Sequence, residues 1–261
     1  MLDTSNLSAF CKGIADALRK KKGTTEEIQY KKFDEEIESI DTNKGLVEML
    51  ESKTTYNYAL ATAQITEVPI FTPNATATDY TSFLIRTPIL KFPNSIDFSN
   101  ARSAGSFCYD CTNMSGDVVV DFSKVLNLSV AFGYCKKLKS VEFSNGTLAT
   151  TNFSRTMISC AVLEAVKGLD FSNITTAAGI DNAFSNCVSL QTIEFFKDEC
   201  VKVSFSLGNS PLLTEQSKTN IINALATVTT SPTLTLNSKV TLTDEQIETI
   251  NSKGWNLAYV N

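Results

Sequence analysis

Apolar residues in the first fifty positions recur at the spacing of amphipathic helices. Five of them follow the i, i+3, i+4 rule, namely Leu7, Phe10, Cys11, Ile14 and Leu18. A second helix is predicted within residues 26–40, and a short third one from Leu46 to Leu50 after a turn at 41–45. The pattern therefore predicts a small helical segment at the start of the chain.

The middle of the chain carries a repeat instead. Phe132-Gly-Tyr-Cys135-Lys-Lys-Leu138 and Phe184-Ser-Asn-Cys187-Val-Ser-Leu190 share the pattern F-x-x-C-x-x-L, with degenerate copies at Cys111 and Cys160. The four cysteines are 24, 25 and 27 residues apart. A short strand-like segment that ends in an acid and phenylalanine follows each cysteine. Two markers at one period predict a solenoid of the leucine-rich-repeat type, with the cysteines buried as small apolar residues.

The last fifty residues break this period. Thr214 can cap a helix, Leu234 and Leu236 alternate as a strand, and Thr243 to Gln246 form a capping box for a second helix. An αβα segment of this kind suits the terminal cap that a solenoid needs. The predicted fold class is α+β: a leucine-rich-repeat solenoid with a small N-terminal helical segment and an αβα-type C-terminal cap.

Four domains are expected from these patterns. They are an N-terminal helical docking segment (1–45), a connecting region with irregular strands (46–94), the solenoid (95–210) and the capping module (211–261). Pro69, Pro73, Pro88 and Pro93 interrupt the connecting region, which is read either as edge strands or as an extended linker.

Composition excludes several classes of function. The chain has no histidine, which rules out Ser-His-Asp and Cys-His nucleophiles and His-ligated zinc. A net charge of -5 argues against a nucleic-acid partner. No apolar run is long enough for a membrane span, and the first residues lack the basic and apolar parts of a secretion signal. Cys108-Tyr-Asp-Cys111 is a lone CxxC. No enzyme activity, cofactor or metal is expected.

The acids before the repeat phenylalanines are the candidate ligand-binding residues. They are Asp97, Asp121, Glu142, Asp170 and Glu194. Because neighbouring strand residues point to opposite faces, a buried phenylalanine places its preceding acid outward. Coils in strict register would stack these acids into an acidic column that binds a cation or a glycan. The alternative is a solvated column that serves solubility.

Polar and aromatic surface residues suggest a second route to sugar binding. Serine, threonine and asparagine total 77 residues, more than a core can use. Tyr80, Tyr109 and Tyr134 could offer stacking faces, although threonine and asparagine also simply suit strands and turns. Trp255 follows a helix stop, so it is read as the anchor of the C-terminal cap.

Three stretches of the chain resemble known protein families. The F-x-x-C-x-x-L-x-x-V/I-x-F repeat resembles BspA-type leucine-rich repeats of bacterial surface proteins and phage proteins over about residues 95–205, although the usual Ile-Pro after the strand is missing. Ile14 to Leu18 with Lys22 to Thr25 is similar to the opening helices of phage tail and baseplate proteins. The segment from Leu213 to Trp255 is similar to the closing module of such phage chains.

The resemblance implies a non-enzymatic virion protein of a phage tail or baseplate, assembled in the host cytoplasm. The solenoid would recognise the host surface, and the N-terminal helices would attach the chain to other virion proteins. The expected host ligand is a cell-surface glycan or protein, and homo-oligomerisation stays open. The alternatives are a purely structural virion accessory protein and a bacterial BspA-like adhesion protein.

Overall fold

A computed structural model describes residues 42–261, and it describes side chains from Leu46 onward. The chain divides into two compact units, Met1–Met49 and Leu50–Asn261. Of the first unit the structure describes only the start of helix α1, which covers Thr42–Glu51. This helix confirms the short helix predicted at Leu46 to Leu50, but it replaces most of the predicted turn at 41–45. The helices predicted earlier, with most of the docking segment 1–45, lie outside the described residues.

The second unit contains seven strands, two further α-helices and a 3-10 helix at Ala177–Ile180. In chain order the strands and α-helices are β1 (Ser115–Val120), β2 (Lys137–Phe143), β3 (Ala165–Leu169), β4 (Thr192–Phe195), β5 (Phe205–Leu207), α2 (Glu215–Ala224), β6 (Thr233–Asn237), α3 (Asp244–Ser252) and β7 (Asn256–Val260). The strands form a four-stranded sheet in the order β1-β2-β3-β4 and a three-stranded sheet in the order β5-β6-β7. Every paired strand in both sheets is parallel.

The predicted α+β class, a leucine-rich-repeat solenoid closed by an αβα cap, is wrong. Two parallel sheets with few helices make the described part of the chain an α/β-like fold. The segment predicted as a separate cap supplies β6 and β7, and Phe205 of β5 pairs with Leu234 of β6 across the expected boundary at 210. The F-x-x-C spacing is lost after residue 210, and this loss suggested that a separate module begins there. Parallel strands can nevertheless pair without that spacing, because they need only a crossover connection, which α2 and α3 provide.

The strands alternate as half-buried strands should. In β1, Val118 and Val120 are buried, whereas Val119 is 41% exposed. The buried side chains join a core of packed phenylalanines, in which Phe107 contacts the rings of Phe98 and Phe122. This core lies beneath the four-stranded sheet. On its other side the repeat region is built from turns instead of strands.

That opposite side is a ladder of turns, which we call the turn ribbon. It consists of six segments: 56–62, 80–86, 104–110, 128–134, 153–159 and 180–186. Each segment donates backbone hydrogen bonds to the next; for example, the Ser106 amide donates to the Ser129 carbonyl (2.8 Å). Each also holds two residues with left-handed φ, such as Val130 (59°) and Tyr134 (62°). The turn ribbon begins inside the predicted connecting region and packs there as regularly as it does later.

Candidate functional site

Three of the five predicted acids lie in turns and not in strands. Asp97, Asp121 and Asp170 each accept a hydrogen bond from the amide of the serine two residues later, at 2.8, 2.9 and 3.0 Å. This is the local geometry of an Asx turn. The backbone hydrogen bond from Ser99 lowers the pKa of Asp97 below its usual value. Each of these carboxylates is therefore used in a hydrogen bond to the backbone of its own turn.

Asp170 departs furthest from the expectation of an outward acid. It is only 2% exposed, and its carboxylate lies 3.2 Å from the ammonium of Lys197. Asp121 also has a partner in the next repeat, because the side-chain amide of Asn145 donates to it at 3.1 Å. Both carboxylates hold neighbouring repeats together, which leaves little of either for a ligand.

Glu142 and Glu194 do lie on exposed strand positions, but a cation separates them. Glu142 of β2 pairs in register with Lys167 of β3. In β3 the register shifts between Val166 and Leu169, so Lys167 and Gly168 together lie across from the single residue Glu194 of β4. A lysine on the strand between the two acids is electrostatically favourable.

The five acids thus do not form one column. The reason is that the acid-phenylalanine pair does not fall at the same position of the strand in every repeat. Val120 pairs with Phe143, so Asp121 lies two positions beyond the level of Glu142. The ligand-binding role of the acids stays a prediction, and the structure brings only Glu142 and Glu194 to a common cavity.

That cavity, the strand-face cleft, has a volume of about 600 Å³ and is lined by Glu142, Lys167, Glu194 and Phe196 among others. Phe196 is 53% exposed, and its ring packs over the backbone of Gly146. Among residues 46–261, no three acids or cysteines lie together in a way that could hold a metal ion.

The repeat cysteines are buried, which confirms their reading as small core residues. Each thiol donates to a carbonyl of the preceding repeat: Cys111 to Leu84, Cys135 to Cys108, Cys160 to Phe132 and Cys187 to Met157. Thr87 and Ser210 continue this series with hydroxyl donors, to Leu60 and Cys187. The position therefore selects a small side chain with a donor.

Burial also makes these thiols poor nucleophiles. Desolvation raises the pKa of Cys135 and Cys187 well above the usual value, and it raises that of Cys160 to about 12. A thiol in this environment stays protonated at neutral pH, whereas a catalytic cysteine needs a lowered pKa. The lone CxxC, Cys108 and Cys111, lies in the same buried series.

The turn ribbon presents its side chains in columns. The first left-handed position of each segment forms one column, which includes Ser106, Val130, Arg155 and Asn182. Three residues later comes a second column, with Ile85, Tyr109, Gly133 and Ile158. Apart from Gly133, these residues together with Tyr134 line an open cavity of about 610 Å³, which we call the tyrosine groove.

Gly133 is the close-packed position of the second column. A Cβ atom at this position would lie 2.9 Å from Val130 Cγ1, 3.0 Å from Ile158 Cγ2 and 3.4 Å from Tyr109 Cδ2. Because these distances are shorter than a Cβ normally makes, the neighbouring side chains already fill the space beside the glycine. Glycine therefore lets Tyr109, Val130 and Ile158 approach one another at the wall of the groove.

Two aromatic rings and one guanidinium group shape one end of the tyrosine groove. The rings of Tyr109 and Tyr134 meet edge to face, with centroids 5.4 Å apart and an interplanar angle of 70°. The guanidinium of Arg86 lies 6.0 Å from the Tyr109 centroid, and it is 3.7 Å from the Asp110 carboxylate. This pairing fixes Arg86 beside the ring.

Arg155 lies at the other end and also lines an adjoining cavity of about 400 Å³ with Ser129, Ser154 and Asp181. It makes no ion pair with any residue that the structure describes. The Asp181 carboxylate instead accepts a hydrogen bond from the Asn182 amide at 2.6 Å. Arg155 therefore offers an unpaired charge to whatever enters the groove.

The structure divides the predicted aromatic residues. Tyr109 and Tyr134 lie in the groove as candidate stacking faces, but Tyr80 is fully buried and stacks on Tyr56 with centroids 4.7 Å apart. Trp255 is buried, and its indole donates to the Ala226 carbonyl at 2.8 Å, which confirms its anchoring role.

The sequence patterns did not single out Gly133 or Arg155. The signal was nevertheless present, because Ser106, Val130, Arg155 and Asn182 each lie five residues before a repeat cysteine. Comparing such positions between repeats would have shown which columns change chemistry and which stay constant.

No helix among residues 42–261 is long and apolar enough to cross a bilayer. The expected absence of a membrane-spanning helix therefore holds for that part of the chain. Compared with known proteins, the chain matches no family model, no curated protein and no solved structure. The resemblance to BspA-type repeats stays a prediction.

Proposed function

We propose that this chain is a non-enzymatic recognition protein of a phage tail or baseplate, which binds a host cell-surface ligand through the tyrosine groove. The observation that carries the proposal is the groove itself. It is concave, and it combines an exposed tyrosine ring, a half-buried one, polar side chains and a guanidinium group without an acidic partner among the described residues. A few directed polar groups in a largely apolar concave site are typical of ligand-binding sites.

The backbone beneath the groove supports this role. Asp110 donates its amide to the Gly133 carbonyl at 2.8 Å, and Tyr134 donates to the Ile158 carbonyl at 2.7 Å. Both residues hold a left-handed conformation that the ladder enforces. The backbone that carries the groove is thus ordered before a ligand arrives, which lowers the entropic cost of binding.

The phage assignment has a different basis. It rests on the resemblance of the repeat, of Ile14 to Leu18 with Lys22 to Thr25, and of the C-terminal segment to parts of phage chains. Under this proposal residues 1–45 attach the protein to the particle, and the groove faces the host.

The test is binding of the purified full-length chain to intact Gram-positive and Gram-negative cells. The double variant Tyr109→Ala with Tyr134→Ala removes both rings, and Tyr259→Ala removes a tyrosine of similar exposure (45%) on β7 as the matched control. We expect binding to at least one cell type, a loss of tenfold or more in the double variant, and no change in the control.

Two results would overturn the proposal. One is the absence of binding to every cell type, and the other is full binding by the double variant. Release of sugar from cell walls during the incubation would instead indicate an enzyme. Deletion of residues 1–45 should abolish incorporation into particles while the groove still binds cells.

A further inference from the structure

We propose that the ligand of the tyrosine groove is a polysaccharide segment whose sugar carries a carboxylate, and that Arg155 is the residue that selects this charge. The inference rests on the proposed function and names its ligand class. It is carried by the side chains that line the groove and by the charge balance around it.

The apolar part of the groove suits a sugar ring. The edge-to-face arrangement of Tyr109 and Tyr134 leaves a ring face and a ring edge on adjacent repeats. The C–H faces of a pyranose pack on aromatic rings by the same dispersion and electrostatic terms that govern aromatic contacts between side chains. The groove has a volume of about 610 Å³ and is lined by Tyr109, Tyr134 and Ile158 among others, which gives such a ring room to lie against the tyrosines.

The polar part of the groove suits hydroxyl groups. Ser106 and Asn182 line the groove at the two outer positions of the first column. The hydroxyl group of Ser106 both donates and accepts, and the amide of Asn182 has separate donor and acceptor atoms. Each can bond a sugar hydroxyl, which also does both.

Charge separates a carboxylated sugar from a neutral one. Arg86 already has Asp110 as its partner, and the carboxylate of Asp181 is bonded to Asn182. Arg155 keeps its donors free of carboxylates within the described residues. A guanidinium group binds a carboxylate through two parallel hydrogen bonds, which gives both affinity and orientation.

A single-stranded nucleic acid could also stack on tyrosine and pair with arginine. It would need several cations along its backbone, since each phosphate contact releases a counterion. The groove offers one unpaired guanidinium in a chain of net charge -5. The observations therefore favour the sugar.

The experiment measures affinity of the full-length protein for three probes: polygalacturonate oligomers, neutral dextran oligomers and oligo(dT). The key variant is Arg155→Asn, because the next repeat has Asn182 at the same left-handed position, so the backbone accepts the change. Arg102→Asn is the control, since Arg102 is exposed and lines neither cavity of the turn ribbon.

We expect wild-type protein to bind polygalacturonate at least tenfold more tightly than dextran, with affinity that falls as salt rises. Arg155→Asn should lose about tenfold for polygalacturonate only, as expected for a charge-assisted hydrogen bond. Gly133→Val, whose side chain displaces Tyr109, Val130 or Ile158 from the wall of the groove, should lose both sugars. Arg102→Asn should change nothing. Circular dichroism of each variant checks that it is folded.

Equal affinity for the neutral and charged sugars, or an unchanged Arg155→Asn variant, would overturn the inference while the proposed function stands on the tyrosine variants. Preferred binding of oligo(dT) would also overturn it. Failure of the tyrosine variants to change cell binding would overturn the proposed function itself, so the two failures are distinguishable.

Discussion

The four-stranded sheet and the turn ribbon, the two exposed sides of the repeat region, differ in how they arrange charged side chains. On the four-stranded sheet, opposite charges alternate between strands, as in the row of Glu142, Lys167 and Glu194. On the turn ribbon, charge is sparse, and one column changes from serine to valine to arginine to asparagine. The sheet sets opposite charges on neighbouring strands, whereas the ribbon presents Arg155 with no acidic partner among the described residues. A repeated fold thus displays a specific site on the side where its columns vary.

The largest expected effect on stability is that of Gly168→Ala, on the sheet side. Gly168 has φ of +72°, and a Cβ there would lie 2.2 Å from the Phe143 carbonyl oxygen, an atom of the neighbouring backbone. We expect a loss of about 3 kcal/mol in the free energy of unfolding, from backbone strain and the clash. Urea unfolding measures it; Gly116→Ala is the control, with φ of +84° and no atom within 4 Å. Equal losses would show that strain alone matters.

Alkaline pH tests the buried thiols on the ribbon side. Burial raises the pKa of Cys160 from its usual value near 9.0 to about 12, so the folded state keeps a proton that the unfolded chain loses. Stability is therefore full below pH 9 and falls as pH rises from 9 to 12, by about 1.4 kcal/mol per pH unit for such a thiol. Urea unfolding at pH 7, 9 and 10 should show this fall, with a smaller slope in Cys160→Ala. The same slope in both proteins would contradict the assignment.

Gly133→Ala is the counterpart of Gly168→Ala on the ribbon. The new methyl group would meet only side chains, the nearest at 2.9 Å, and φ at Gly133 is not left-handed. Because Val130 and Ile158 can shift, we expect a loss of about 1 kcal/mol, typical of mild overpacking. The same urea series measures it. A loss as large as that of Gly168→Ala would mean that the groove is rigid.

The smallest effect is expected from reversing the sheet's charge alternation. Lys167→Glu places a carboxylate opposite Glu142 of β2 and on the strand next to Glu194 of β4, and cross-strand like charges should cost about 0.5 kcal/mol relative to Lys167→Gln. The difference between these two variants should shrink in 1 M salt, because exposed charges are screened. A difference that salt leaves unchanged would point to packing instead of charge.

Sequence patterns were sufficient for the parts of this fold that depend on local spacing. The burial of Cys135, the capping box at Thr243 and the anchoring role of Trp255 all follow from neighbouring residues, and each is confirmed. The fold class failed because β5 pairs in parallel with β6, and β6 with β7, through long crossovers. Sequence periodicity carries no information on which strands pair.

The candidate site was partly within reach of the sequence. The sequence offers Tyr80, Tyr109 and Tyr134 alike as stacking faces, but Tyr80 lies in the core. The acids failed as a column because strand register, not the acid-phenylalanine marker, sets which side chains are abreast. Gly133 was invisible for a physical reason: its effect is the close approach that it allows to Tyr109 and Ile158, which belong to other repeats.

The turn ribbon also has a net dipole along the stack of its segments. Amides of residues 58, 60 and 62 all donate forward to carbonyls of the next segment, and residues 82, 84 and 86 do the same one level on. The remaining amides close local turns, as Phe83 does to Tyr80. Peptide dipoles therefore add along the stack as they do along a helix axis, whereas the dipoles of neighbouring sheet strands largely cancel. The molecule carries a built-in field along its repeats, positive toward the segment at 180–186, which lies beside Arg155.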